Sequence, residues 1–394
     1  MRDKVLRADG PTGSGRVVSY PLGDGRRLFL IRTYCPDRIG PGPTNLYLIE
    51  DEALILVDTG LPTDMAKQFF YFWRRQSIPH GIEALPDDFS ERELTSALAL
   101  TGHRIEEIDA IVLTHGHMDH YLLGRKIVAQ SNARVAAHVS DTVMICNPWG
   151  MARFMAERWP VLMAMGMPPP AHRRTPEAQR QVLRIDLSLR VDEPIAADGP
   201  LTVGDAVFPR LTVRHFAGHS PGGICLLVDS ENGAGRRMLC GDTLLYPITP
   251  HPDDLVAYLR TLKAMKALKD ISLTLPAHGK AIRRLPERLE AIEQHHERRL
   301  RLTYEACRRP RSIWQIATMT GYFDVLVEPT QFNPLAGQEA WVHVELLYLV
   351  GGLRRTHIRE GVHYFENSGE TFAAVYERVR ELIDDEQSTL LTRR

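Results

Sequence analysis

Seven residues constrain this chain more than any other stretch. Thr114-His115-Gly116-His117-Met118-Asp119-His120 sets three imidazoles and a carboxylate directly behind the apolar run Ala110 to Leu113. That run reads as a buried strand, so the polar side chains fall where a strand ends and a loop can curl around an ion. Neutral imidazole together with carboxylate is a donor set that zinc selects. Surface histidines in a polar loop would account for one or two such residues, but not for four packed this tightly. In a loop, His115 and His117 can converge on one metal while Asp119 and His120 turn towards a second.

Further donors follow downstream, each at a strand end or a glycine-rich turn. Gly218-His219-Ser220-Pro221-Gly222 offers an imidazole whose small neighbours let the backbone come close to an ion. Asp242 follows Met238-Leu239-Cys240 and could bridge two metals. His278 follows Leu273-Thr274-Leu275. Upstream, the run Ala53 to Val57 ends in Asp58, which suits holding a ligand histidine in one tautomer.

Taken in order, Asp58, His115-x-His117-x-Asp119-His120, His219, Asp242 and His278 resemble the motifs of the metallo-β-lactamase superfamily, in its glyoxalase II-like and lactamase-like hydrolase branches. The resemblance implies an α/β fold, the four-layer αββα sandwich, over residues 1–284. It also implies two divalent metal ions, zinc foremost with iron or manganese as alternatives. One would be held by His115, His117 and His219 and the other by Asp119, His120 and His278, with Asp242 shared. The reaction implied is hydrolysis by a metal-bridged hydroxide, because a bound water's pKa can fall from about 15.7 to about 7. Asp119 and Asp58 are its expected catalytic partners. Tyr246 resembles the tyrosine that lactonases of the superfamily place behind their bridging aspartate, and could donate to a developing oxyanion. Iron redox relatives would normally carry a glutamate in place of one central histidine, and His117 argues against that chemistry.

Composition sets the outer bounds. With 44% hydrophobic and 25% charged residues in 394, the chain is expected to be globular. A formal net charge of −1 gives no general attraction to polyanions, so a nucleic-acid partner is not expected. Five cysteines, Cys35, Cys146, Cys225, Cys240 and Cys307, form no CxxC and read as thiols of a reducing compartment. The charged N-terminus and the lack of a membrane-length apolar run lead us to expect a cytoplasmic protein with no membrane partner.

Between about 144 and 184 the chain spends more residues than the superfamily usually needs, and six of its 12 methionines fall from Met144 to Met167. Such side chains suit either a core or a lid over an apolar ligand, which would give the small-molecule substrate an acyl or aromatic portion. Phe69, Phe70, Phe72 and Trp73, in a helix expected over 64–75, read as core. Residues 285–394 are expected to form a small, mostly helical, winged-helix-like domain: helices over 285–307, 312–317 and 340–350, then a ribbon over 354–365. The stretch Gln338 to Val350 has no Lys or Arg and carries Glu339 and Glu345, a face that would repel phosphates. The arginines Arg298, Arg299, Arg301, Arg308, Arg309 and Arg311 read as a solvated helical face. An amphipathic helix over 371–383 suits docking on the body or on a second copy in a homodimer. Two functions stand: a hydrolase of a small thioester, ester or lactone, and an endoribonuclease acting on single-stranded RNA.

Overall fold

The computed structural model describes residues 4–7, 16–33, 43–68, 80–147, 158–169, 186–231 and 235–385. Among them lies a sheet of eight strands in sequential order: β1 (Lys4–Arg7), β2 (Arg16–Gly23), β3 (Arg26–Arg32), β4 (Asn45–Glu50), β5 (Leu54–Val57), β6 (Ala110–Val112), β7 (Arg134–His138) and β8 (Glu193–Ile195). Strands β1 to β5 pair antiparallel and β5 to β8 parallel. A second sheet runs β13-β12-β11-β10-β9, built from β9 (Gly199–Val203), β10 (Ala206–His215), β11 (Ile224–Val228), β12 (Arg236–Leu239) and β13 (Ile271–Leu275).

Continuous apolar runs become central strands here because both of their faces are covered. Along β3 to β5 successive side chains alternate between two cores. Leu28, Leu30, Tyr47, Ile49, Ile55 and Val57 meet Leu201, Val213, Leu226, Leu239 and Leu275 of the second sheet. Phe29, Ile31, Leu46, Leu48 and Leu56 instead meet Leu94 and Leu98 of helix α1 (Phe89–Thr101). Fully burying one such side chain contributes about 1.5–3 kcal/mol, so a one-residue slip of register is strongly disfavoured.

Parallel pairing then gathers the polar strand ends. Val57 lies opposite Val112 across β5 and β6, and Leu239 opposite Leu275 across β12 and β13. Each pair therefore delivers its following loop to a shared edge: Asp58 with residues 114–120, and Asp242 with His278. Ile224 N–H donates to the Thr114 carbonyl, which ties the β6 loop to β11 of the second sheet.

By compactness the chain divides into two units: residues 1–151, 177–250 and 269–285, and residues 152–176, 251–268 and 286–394. Residues 152–176 and 251–268 thus join the C-terminal part, a division that differs from a single boundary at residue 284. The second unit holds helices α2 (Leu255–Lys266), α3 (Leu285–Ala306, from Pro286 onward), α4 (Ile313–Ala317), α5 (Pro334–Leu349) and α6 (Phe372–Asp384). It also holds an antiparallel sheet β14-β16-β15 of Arg311–Ser312, Val362–Asn367 and Leu353–Arg359. Ser312 caps α4 reciprocally with Gln315.

Two sequence readings change. Arg299 is buried, donating to the Tyr322 carbonyl with its guanidinium over the Tyr322 and Phe323 rings, so it does not belong to a solvated face. Of the methionine-rich segment, residues 158–169 are described. Leu162, Met165 and Met167 are buried, Met165 accepts from Trp314 N–H, and Met167 lies where a side chain on Gly337 would go. Those three side chains are core of the second unit, while residues 148–157 and 170–184 of the segment, the aromatics at 69–73 and Cys35 lie outside the described residues. Cys146, Cys225, Cys240 and Cys307 are free thiols. No helix among the described residues is long and apolar enough to cross a membrane.

Candidate metal centre

All seven donors singled out in the sequence gather at the strand ends. His115 Nε2 and His219 Nε2 lie 2.9 and 3.1 Å from His117 Nδ1, so three ring nitrogens converge on one point. Beside them, His278 Nε2 lies 3.2 Å from Asp119 Oδ2, and His120 Nε2 lies 3.7 Å from Asp119 Oδ1. Asp242 stands between the two groups. Its Oδ2 is 3.7 Å from His219 Nε2 and 3.8 Å from His120 Nε2, and its Oδ1 is 3.6 Å from His278 Nε2.

The outer nitrogens fix which ones face inward. Asp58 Oδ2 takes the Nδ1–H of His120 at 2.8 Å, and the Pro43 carbonyl takes that of His278 at 3.1 Å, so Nε2 of each ring faces the centre. Asp58 is held in turn by Thr114, whose N–H donates to Oδ1 and whose hydroxyl donates to Oδ2, both at 2.8 Å. It sits at φ 60°, an uncommon conformation for a residue with a side chain, and is fully buried. Gly241, at φ 51°, lies so close to Thr114 that an added Cβ would come within 2.7 Å of it.

The electrostatics are those of a site that wants positive charge. Burial opposes a proton on His120, but the carboxylates of Asp119, Asp58 and Asp242 outweigh it and lift its pKa to about 10. Burial likewise opposes charge on Asp119, yet His120, His278 and His117 hold its carboxyl far below the usual range. His115, buried among four other imidazoles, is held well below the ordinary histidine value. Among the described residues His120 Nε2 and Asp242 Oδ1 are buried without a hydrogen-bond partner. Inward lone pairs, buried carboxylates and such unmatched atoms fit divalent metal ions.

The model of the metallo-beta-lactamase superfamily matches residues 39–278. The chain belongs to that superfamily. A solved metallo-beta-lactamase family protein from Thermus thermophilus is similar at 22% identity and a TM-score of 0.64, over 86% of this chain and 98% of that one. A beta-lactamase domain protein from Burkholderia ambifaria is similar at 19% and 0.60, over 89% of this chain and 95% of that one. These likenesses show the α/β metallo-β-lactamase fold. The lactamase-like protein nscB of Trichophyton equinum is 32% identical over 123 residues, a stretch that spans 30% of this chain and 36% of that protein. Members of the superfamily are usually metal-dependent hydrolases, and the His/Asp cluster is compatible with that chemistry.

One member of this metallo-β-lactamase site had no signal in the sequence. Asp141, in the helix Val139–Cys146, accepts from Gly116 N–H and from Gly222 N–H, both at 2.8 Å. It thereby pins the His115 loop to the His219 loop. The glycines beside those histidines invite a close approach, but what approaches Gly222 is this carboxylate: an added Cβ would lie 2.6 Å from Asp141 Cγ. Burial raises the Asp141 pKa despite those two donors. Tyr246 joins the same edge by its backbone, its carbonyl accepting from Lys280 N–H beside His278, and its side chain is 44% exposed.

Proposed function

We propose that this chain is a dinuclear metal-dependent hydrolase that cleaves a small-molecule thioester, ester or lactone. The observation that carries the proposal is the position of Asp242, whose two oxygens face histidines of both donor groups. His115, His117 and His219 would hold one ion, Asp119, His120 and His278 the other, and Asp242 both. Zinc suits this nitrogen-rich set best, with iron or manganese as alternatives. Two such ions would supply Lewis acidity and lower the pKa of water at the site to about 7.

The protein's own contribution is positional. Asp58 keeps the His120 Nε2 lone pair aimed inward, Thr114 keeps Asp58 in place, and Asp141 sets the distance between two ligand loops. Asp119 carries a negative charge held by neighbouring imidazoles, fit to orient a nucleophile through hydrogen bonding. Tyr246 is our candidate donor to the oxyanion that develops on an acyl carbon. No Ser or Cys nucleophile is needed, and Cys225 and Cys240 are buried with thiol pKa values raised by burial, Cys225 to about 12.

We read the second unit as a winged-helix-type packing element rather than a nucleic-acid reader. Arg299 is committed to Tyr322, and Arg301 lies over Phe372. Purified protein assayed on acyl-thioester, lactone and RNA panels, with metal content measured on the same sample, tests the assignment. Turnover of an acyl substrate with at least two equivalents of metal is expected. RNA cleavage at low salt without esterase activity would replace it with the endoribonuclease reading. Asp242→Ala should lower metal content along with turnover, and full retention of metal would remove its bridging role.

A further inference from the structure

A second set of metal-binding side chains lies inside the C-terminal unit, in residues that the hydrolase reading does not use. His295 and His296 stand on α3 and Glu339 on α5, and their donor atoms lie within 4.8 Å of one another. His251 joins them, its Nδ1 2.9 Å from Glu339 Oε2, while His295 Nε2 lies 3.9 Å from Glu339 Oε1. Glu339 and His296 are both buried. A carboxylate buried on the inner side of a helix is costly without a cation or several donors nearby.

The hydrogen bonds of the buried rings run in one direction. The Glu339 carbonyl lies 2.6 Å from His343 Nδ1, and a carbonyl can only accept, so that nitrogen carries the proton. His343 Nε2 is then an acceptor, and it takes the Nδ1–H of His296 at 3.1 Å. His296 is left with a bare lone pair on Nε2, a buried atom with no hydrogen-bond partner among the described residues. Burial keeps both rings neutral, His296 well below the ordinary value and His343 at about 4. Burial opposes charge on Glu339, but His251 and His295 hold its carboxyl well below the usual range. A metal-ligating histidine commonly donates its other ring N–H to a neighbouring acceptor that fixes its tautomer, and for His296 that acceptor is His343. The nearby guanidinium of Arg299 is already taken by Tyr322 and Phe323.

We propose that His295, His296 and Glu339 hold one divalent transition-metal ion, with His251 as a fourth donor. A set of nitrogens with one carboxylate and no sulfur suits zinc or cobalt(II). The ion would clamp three segments of the unit: the 251 turn, α3 and α5. Four side-chain donors would close the coordination sphere, as in structural rather than catalytic sites.

The test uses the full chain carrying His117→Ala, His120→Ala and Asp242→Ala, which removes a donor from each ion of the first centre and the one shared between them, titrated with cobalt(II) alone and then with zinc chloride. One equivalent of cobalt should bind and give visible ligand-field absorption, and zinc should displace it. Adding His295→Ala, a half-buried position, should abolish that equivalent, while the otherwise wild-type His295→Ala chain should hold one zinc fewer than its parent. Binding of no cobalt by the first variant, or cobalt and zinc contents unmoved by His295→Ala, would overturn the proposal. Hydrolytic activity enters none of these readouts, so the fate of the hydrolase reading is decided separately.

Discussion

At the scale of single residues, the metal centre depends on groups that touch no substrate. Asp141→Ala removes the acceptor shared by Gly116 and Gly222 and leaves two buried N–H groups unmatched. Outer partners of this kind typically change metal affinity roughly 10–100-fold, so a loss of that order is expected in a chelator competition. Unchanged affinity would show that the two loops hold their spacing without it. His138 makes a separate prediction, about pH. Its ring stacks on His215 at 3.8 Å and its Nδ1 accepts from Ser140 N–H, which only a neutral ring can do. Burial and the neighbouring His215 lower its pKa to about 4 from an ordinary value near 6.5. Between those two pH values the unfolded chain binds the proton more readily, so stability falls as pH drops from about 6.5 towards about 4. His138→Asn keeps a capping acceptor and removes the titration. Urea midpoints measured across that window should fall less steeply in the variant, and parallel slopes would discard the assignment.

At the scale of elements, helix α5 carries both Glu339 and His343 and begins with a built cap. Asn333 Oδ1 accepts from Ala336 N–H, and Pro334 occupies the first helical position. Asn333→Ala should cost about 1 kcal/mol, read from the chemical denaturation of the full chain. A loss below a few tenths would mean that the packing of Ala340, Val344 and Leu347 alone sets the helix start. What the sequence revealed and what it hid divides along physical lines. The runs at 28–31, 45–49, 53–57, 110–113 and 273–275 were legible because strands covered on both faces must be apolar throughout. The ligand types at their ends were legible because chemistry limits which side chains bind metal. Strand β10 was not: Pro209 and Arg210 interrupt its pattern, and the register shift between Phe208 and Thr212 is what accommodates them. Asp141 was not either, because its partners are backbone N–H groups that leave no trace in residue identity. Glu339 looks in the sequence like an acid on an exposed helix face. Only the fold turns it inward.

At the scale of the whole molecule, the two units recruit segments far apart in the chain, which no local pattern encodes. Cation binding should therefore act on a framework whose two units can unfold in separate transitions, so denaturation is read transition by transition. Among the described residues His120 Nε2 and Asp242 Oδ1 are buried with no hydrogen-bond partner, and leaving such an atom unmatched costs about 1–3 kcal/mol. The neighbouring carboxylates also favour a proton on His120, which a bound cation would displace. A ligand present at 100 times its dissociation constant adds about 2.7 kcal/mol to the native state. Stripping the protein with a chelator should thus lower the first thermal transition and speed amide exchange at residues 114–120, 218–223, 241–243 and 276–279. Restoring zinc should reverse both effects. Exchange in those four loops that ignores zinc would mean that the gathered side chains satisfy one another, and the metal-centred reading would have lost its structural basis.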